Sequence, residues 1–527
     1  MNHSWKVRAG ACLATSLACG VCLAQPSDGR PDLDFLASLP ARTEFLIAAD
    51  DLAWCLESRA GQRLLSFVAE MSPWDRSVAA WRDAAASLDM TPDMALQAFA
   101  GDDVAFCITG ISGPTAGRRP QHAVIATVSS ETEALLRSQL KPAPRKISHD
   151  APVLALESGA FQLSTAPGPL VGARALSRVL IAPNGSGDLF DRLLPVVSTP
   201  RPAGSSRLGD TRAFSALRSL PPSRIALLYR SMSEGAGVGE EQYLALTAGV
   251  ADDTLAAEFR ATDTMLLSKG GTFSAWPAEA VKLLETDASL LLAGSPRRQP
   301  LDLGEDASGR AQRPLMVSLL DNLKLPAEVT DAMDGVALLA VHRTPAGAAV
   351  PALSITCAIP VSDLEAVKPI TEAWIARVVG APGMKLPPSA PGTVPVMVLG
   401  DARNSMLPGF VQPGGSLAWT YAQGADAPGG WWVLNIRTAA GDEARGGAAA
   451  AELARRLSEP PPESDRTVYR LIVRPADLAE IIRANSPSSG ESAMRAFRWI
   501  ERVETRLQTA DAGMLEGTVA VRFRDAP

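Results

Sequence analysis

Histidine and cysteine are scarce in this chain of 527 residues, which has four of the first and six of the second. Scarcity of both residue types argues against metal chemistry, because a zinc site needs convergent His, Cys or carboxylate ligands, often at a local spacing such as HExxH. No such spacing occurs, and nothing in the sequence calls for a cofactor. Positive charge is also thin. The net formal charge is −7, and no Lys/Arg block interleaved with aromatics appears, which disfavours nucleic acid as a partner because phosphate binding requires clustered positive charge. Aromatics make up 5% of the chain. Beyond the first residues no apolar run approaches the ~20 residues of a membrane-crossing helix.

The first residues are different. Lys6 and Arg8 precede the uncharged stretch AGACLATSLACGVCLA, which ends at Ala24 and gives way to polar QPSDGRPD. A basic start, a short apolar stretch and small residues before a polar break define a secretory signal peptide over 1–24. Sixteen Ala- and Gly-rich residues span a bilayer poorly, so cleavage is favoured over a retained anchor. The expected destination is the periplasm or the outside. A second reading is a lipid anchor at Cys19 of SLAC, with Ser16 standing where Leu is usual. Cleavage after Ala24 removes Lys6 and Arg8, takes the charge from −7 to −9, and discards the CGVC pair. Cys55, Cys107 and Cys357 remain, an odd number that gives no complete disulfide framework. Cys107 in VAFCIT and Cys357 in SITCAI read as small buried hydrophobes.

The 46% hydrophobic content is enough for packed cores, and the length suits two or three domains. Two stretches, VSSETEALLRSQL at 128–140 and IPVSDLEAVKPI at 359–370, share the pattern of a strand running into a capped helix. Ser130 with Glu133, and Ser362 with Glu365, read as capping boxes. Collinear pairs extend the likeness: GDDVAFCIT with DGVALLAVH (Val104 beside Val336), VLIAPNGSGD with VLNIRTAAGD, LLYR ending at Arg230 with LIVR ending at Arg474, and TLAAEFRA with MLEGTVAV. Parity agrees in the last pair. Val519, Val521 and Phe523 share one face, as do Leu255, Ala257 and Phe259, and a one-residue slip would turn either set toward water. The expected architecture is α+β: two tandem related halves, 25–270 and 271–527, each a mostly antiparallel sheet with helices packed on one face. A polar, Gly/Pro-rich linker is expected at about 294–314, and a helical excursion from Leu52 to Phe99.

LPARTEFLIAADDLAW at 39–54, the Gly-Asp before the apolar strand at 101–106, and SSRLGDTRAFSALRSLPPSRIALLY at 205–229 resemble exported bacterial proteins grouped loosely with domain of unknown function 3352. The resemblance covers most of the first half and is weaker in the second. It implies export and a repeated α+β build, and it carries no site residues.

Chemistry-bearing candidates are few. His122, His149 and His342 are dispersed. GISGP at 110–114 and PGGSLAW at 413–419 are the nearest shapes to a nucleophile elbow, and neither is GxSxG. GAGVGEE at 235–241 lacks the Lys-Ser/Thr ending of a phosphate loop and precedes a strand. The pairs Asp50/Asp51, Asp102/Asp103 and Asp252/Asp253 sit at strand ends, where Asp makes turns. In GWWVLNI, Trp431 and Trp432 face opposite sides of a strand, and an exposed one could stack on sugar or peptide. The function expected is that of an exported, non-catalytic binding or structural protein of the cell envelope, its partner an envelope protein or ligand. Two alternatives stand beside it: a carrier of an apolar ligand held between sheet and helices, and a hydrolase whose dispersed carboxylates gather in space.

Overall fold

The computed structural model describes residues 30–52, 57–71, 82, 85–86, 90–111, 120–139, 141–142, 154–157, 161–171, 174–183, 186–198, 206–231, 241–251, 253–262, 275–295, 325–343, 353–379, 394–399, 415–424, 429–438, 443–460, 465–485, 498–510 and 513–524. The leader, Cys55, His149, Asp252, all of the GAGVGEE segment but Glu241, and most of the expected linker lie outside these residues. The protein is α+β with extensive antiparallel sheet, and it divides into two compact units between Thr262 and Asp263.

In the first unit, α1 (Leu33–Ala37) leads into β1 (Phe45–Ala49). The expected helical excursion follows as α2 (Arg59–Met71) and α3 (Pro92–Ala100), the latter started by Thr91, whose side chain accepts from the Met94 amide, with Pro92 in the first turn. Next come β2 (Val104–Thr109), β3 (Gln121–Ser129), α4 (Ser130–Gln139), β4 (Lys141–Pro142), β5 (Leu154–Glu157), β6 (Phe161–Val171), β7 (Arg174–Pro183), α5 (Gly187–Ser198), α6 (Arg212–Ser219), β8 (Ile225–Ser231), β9 (Gln242–Ala251) and β10 (Thr254–Thr262). Hydrogen bonding orders the strands β4-β5-β6-β7-β3-β2-β1-β8-β9-β10, antiparallel throughout.

The second unit comprises α7 (Ala278–Glu285), β11 (Ala288–Gly294), α8 (Ala327–Asp331), β12 (Ala337–Arg343), β13 (Leu353–Val361), α9 (Leu364–Val378), β14 (Val396–Val398), β15 (Ser416–Gln423), β16 (Gly430–Arg437), α10 (Glu443–Leu457), β17 (Thr467–Val473), α11 (Pro475–Asn485), β18 (Ile500–Thr509) and β19 (Met514–Phe523). Its order is β14-β15-β16-β13-β12-β11-β17-β18-β19, again antiparallel.

Strand for strand, from β5 and β14 onward, the two orders read alike. Phe45 lies opposite Ile108 and Tyr229, and Leu290 opposite Val341 and Val473. The pairing of Arg230 with Arg474 agrees with this register: Arg230 N–H donates to the Glu44 carbonyl at 2.7 Å and Arg474 N–H to that of Ser289 at 2.8 Å. Two pairings read from the sequence shift by one residue. Val104, opposite Ala49, takes the place of Ala337, opposite Gly294, so Val336 matches Asp103 instead. The helix starts shift as well. Ser129 accepts from Thr132 N at 3.2 Å and Asp363 from Ala366 N at 3.1 Å, so these residues cap α4 and α9 in place of Ser130 and Ser362. Glu133 is engaged elsewhere, by Arg137 at 2.9 Å and by Ser177.

Helices cover both faces of each sheet, not one face as the alternation of the last hairpins suggests. In the second unit, Ala280, Val281 and Leu284 of α7 and Leu453 and Leu457 of α10 pack on Leu291, Leu338, Ala358 and Val433. On the opposite face Trp374 of α9 meets Trp432. In the first unit Leu136 of α4 packs on Ala126, Val128 and Val179, while Phe35 and Leu36 of α1 lie against Ala48 and Ile125 on the other side. The cause is written in the central strands. FLIAA, ASLLLAG and LSITCAIPV are unbroken runs with every residue buried, the signature of strands covered on both sides.

Cys107 and Cys357 are fully buried, one in each unit, and burial pushes each thiol up to about 12. Neither should react with a thiol reagent at pH 8 until its unit opens, because the thiolate is the nucleophile. Peptide mapping after labelling in native buffer tests this, with modification of both residues in denaturant as the positive reference.

Candidate functional site

Most sequence candidates turn out to be structural. Trp432 has no exposed surface and stacks edge-on against Trp374, ring centres 5.4 Å apart. Trp431 is half-buried against the α10 side of the core, so of the two only Trp431 retains exposed surface. Ser416 of PGGSLAW is buried within β15, opposite Arg437. Of GISGP, Gly110 has a positive φ of 76° and the Ile111 amide donates to the Glu44 carboxylate, while residues 112–114 lie outside the described residues. His122 tilts against Phe106 at 6.0 Å, and His342 places Nε2 3.0 Å from the Leu284 carbonyl at the end of α7. Burial lowers the pKa of both imidazoles. Among the described residues no group of three or more His, Cys, Asp or Glu is gathered closely enough to hold a metal ion.

One acidic pair behaves differently. Asp103 stands one residue before β2, on the side of Ala105 and Cys107, which face inward. Its carbonyl accepts from Thr127 N at 2.7 Å, fixing it to β3. On the same face β7 points Leu176, Arg178, Leu180 and Ala182 inward, all buried. An arginine in line with leucines must find its partner inside. Arg178 finds Asp32, with Nη2 to Oδ2 at 3.0 Å, and its guanidinium lies 3.9 Å from the centre of the Phe35 ring. Asp32 is held in turn by the start of α1, where its Oδ1 accepts from Phe35 N at 2.9 Å. Asp32, Phe35, Asp103, Thr127 and Arg178 thus converge on a void of about 10 Å³ floored by Ala48, Ala105 and Ile125, roughly the space of one water molecule.

Electrostatics follow from that burial. Asp103 Oδ1 is buried and accepts no hydrogen bond from the described residues. Burial pushes its carboxyl up to about 7, with Asp50 and Asp32 adding to the rise, while the Asp32 backbone N–H and Arg178 oppose it. Asp50 is raised as well, first by burial and against the pull of Arg224, whose Nη1 is 3.7 Å away. Arg178 is lowered by burial and supported by Asp32 and Asp103.

Past Asp32 and Arg178 the site opens into a groove of about 440 Å³. Phe35, Ala37, Ser38, Arg207, Gly209, Asp210 and Arg218 complete its lining with Asp34, which Arg218 pairs. Gly209 is required there, because a Cβ would lie 2.8 Å from that of Ala37. The matching places in the second unit are apolar. Arg178, opposite Thr127, corresponds to Trp431, opposite Pro360, and Asp103 to Val336. The same strand order is therefore built without the polar cluster.

No family model and no curated protein matches the chain. A solved structure titled "Structure of crystal form I of TP0453" aligns at 12% identity over 47% of this chain and 83% of that one, with a TM-score of 0.23. A likeness of that size carries no argument about fold or function.

Proposed function

We propose that the protein is exported and acts in the cell envelope as a non-catalytic binding protein built from two related α+β units, with the groove of the first unit as its binding site. One observation carries the reading. The first unit buries the Arg178 guanidinium, paired with a partly exposed Asp32, at the floor of a groove, where the second unit places Trp431 and keeps the same strand order without it. Burying a charged guanidinium costs desolvation free energy, and an apolar replacement is often as stable. A cluster kept at that cost, at a position where the fold manages without it, is better explained by a ligand than by stability. Tandem duplication of one module is supported by the matched strand orders. Membership of the exported group resembling domain of unknown function 3352 rests on the residue stretches quoted for it.

A hydrolase reading has its own support in Asp103, a buried acid titrating near neutrality beside Asp32. An apolar-ligand carrier draws less from the geometry, since both clefts described are walled by Asp and Arg.

Export is tested by the mass of the secreted chain, which should begin at Gln25, and by deletion of residues 1–24, which should leave the protein in the cytoplasm. Arrest of the full-length chain in the cytoplasm would sink the localisation. Turnover of an ester, peptide or glycoside abolished by Asp103→Asn would replace binding with catalysis.

A further inference from the structure

A guanidinium carries five N–H donors in a rigid fork. Among the described residues, Arg178 commits one nitrogen of that fork to Asp32, and the group borders both the small void and the groove beyond it. The residue is 7% exposed. Stacking on Phe35 and the bond to Asp32 hold the plane of the fork in one orientation. Unspent donors on a buried, oriented arginine are a receptor for a planar anion, and a carboxylate matches the fork in two parallel bonds.

The rest of the groove sets the remainder of the ligand. Arg178, Arg207 and Arg218 line it together with Asp32, Asp34 and Asp210. With signs balanced, a purely anionic ligand meets repulsion as well as attraction, whereas a molecule carrying both charges is matched at both ends. A volume of about 440 Å³ lies in the usual range for small-molecule sites. Resting on the reading of this groove as the binding site, we propose that it takes a small zwitterionic carboxylate of the amino-acid or short-peptide class, whose carboxylate docks on the fork of Arg178.

Asp103 couples this binding to protons. It faces Arg178 from β7, Asp32 just before α1 and Asp50 just after β1, with Thr127 of β3 beside it. When Asp103 is neutral, Arg178 has one competing carboxylate fewer, so a ligand carboxylate binds more tightly. Affinity therefore rises as pH falls from 8 to 6, with proton uptake on binding.

Calorimetric titration of the full mature protein with glycylglycine, glycylglycinamide, N-acetylglycylglycine and N-acetylglycinamide tests the assignment. Glycylglycine should bind. Removing its carboxylate as the amide should weaken binding about tenfold or more, the loss expected of a charge-assisted pair, and acetylating its amine should weaken binding less. Arg178→Lys should weaken glycylglycine about tenfold while Cys107 stays protected from labelling, because a point charge replaces the fork. Exposed Arg218→Ala is the second variant, and it should weaken binding several-fold without disturbing the core. Equal affinity for glycylglycine and its amide in the unaltered protein overturns the proposal whatever the variants do. Uncharged N-acetylglycinamide slowing hydrogen exchange at 32–38 and 207–218 as strongly as glycylglycine would keep the groove as a binding site and overturn the carboxylate assignment. If no probe slows exchange there, both readings fall.

Discussion

Replacing Asp103 by Asn should stabilise the first unit at pH 8 and flatten its stability profile between pH 4 and pH 8. The sign follows from linkage. The folded-state pKa of about 7 stands above the ordinary 3.8, so the folded unit holds this proton over a range where the unfolded chain has released it. Stability associated with Asp103 is thus fully present below pH 4 and is lost as pH rises through 7. About three pH units at 1.36 kcal/mol each give an upper bound near 4 kcal/mol, and partial solvent access brings the expected loss to roughly 2–4 kcal/mol. Asparagine keeps the shape without the charge. Denaturant titrations at pH 5 and pH 8, followed by exposure of Cys107, should show the gap between variant and parent opening at the higher pH. A parent whose first unit is as stable at pH 8 as at pH 5, relative to the variant, would refute this account of the cluster.

Trp432→Ala should cost the second unit about 3–5 kcal/mol, the usual price of a large core truncation. Trp432 is wholly enclosed, and its removal leaves Trp374 without its edge-to-face neighbour. Trp431→Ala, one residue away, should cost less than half as much because that ring is only partly covered. Urea midpoints read through Cys357 labelling separate the two. Equal losses would mean that the strand does not alternate as described. Loss of binding of a sugar or peptide on Trp431→Ala, with stability retained, would restore the stacking role that its sequence context suggested.

Much of the sheet was readable from the chain. The parity of TLAAEFRA and MLEGTVAV survives in β10 and β19, where Leu255, Phe259 and Phe523 are buried and Ala257, Val519 and Val521 half-buried. Arg230 and Arg474 make like backbone bonds, to Glu44 and Ser289, and α2 and α3 within the excursion before Ala100 are helical. Two-sided cover is present in FLIAA as an unbroken apolar run and in LSITCAIPV as a run broken only by Ser354 and Thr356, whereas the alternating hairpins at the unit ends carry the exposed pattern. The one-residue slips at Val104 and at the helix caps arose because Ser, Asp and Glu recur in both segments. Either register satisfies the side-chain pattern locally, and only hydrogen bonds across the strands decide between them.

The polar cluster was missed for a related reason. In the sequence Asp103 reads with Asp102 as turn-forming residues. Counting back by two from Cys107 through Ala105 would have pointed Asp103 into the core. Counting along Leu176, Leu180 and Ala182 would likewise have pointed Arg178 inward. What no count could supply is that Asp32, some seventy residues before one and nearly one hundred and fifty before the other, joins them. That meeting is made by the strand order, which sets β7 two places from β2, and by α1 lying on that face of the sheet.

Because each unit encloses a thiol among the described residues, Cys107 in one and Cys357 in the other, one molecule carries two clocks. Labelling at Cys107 times the opening of the half that holds Asp103 and Arg178, and labelling at Cys357 times the half with Val336 and Trp431 at those places. A ligand or proton that slows the first and leaves the second running has acted at the groove. A change of solvent, temperature or salt that alters both rates has not. The half without the cluster is thus an internal standard covalently joined to the half under test.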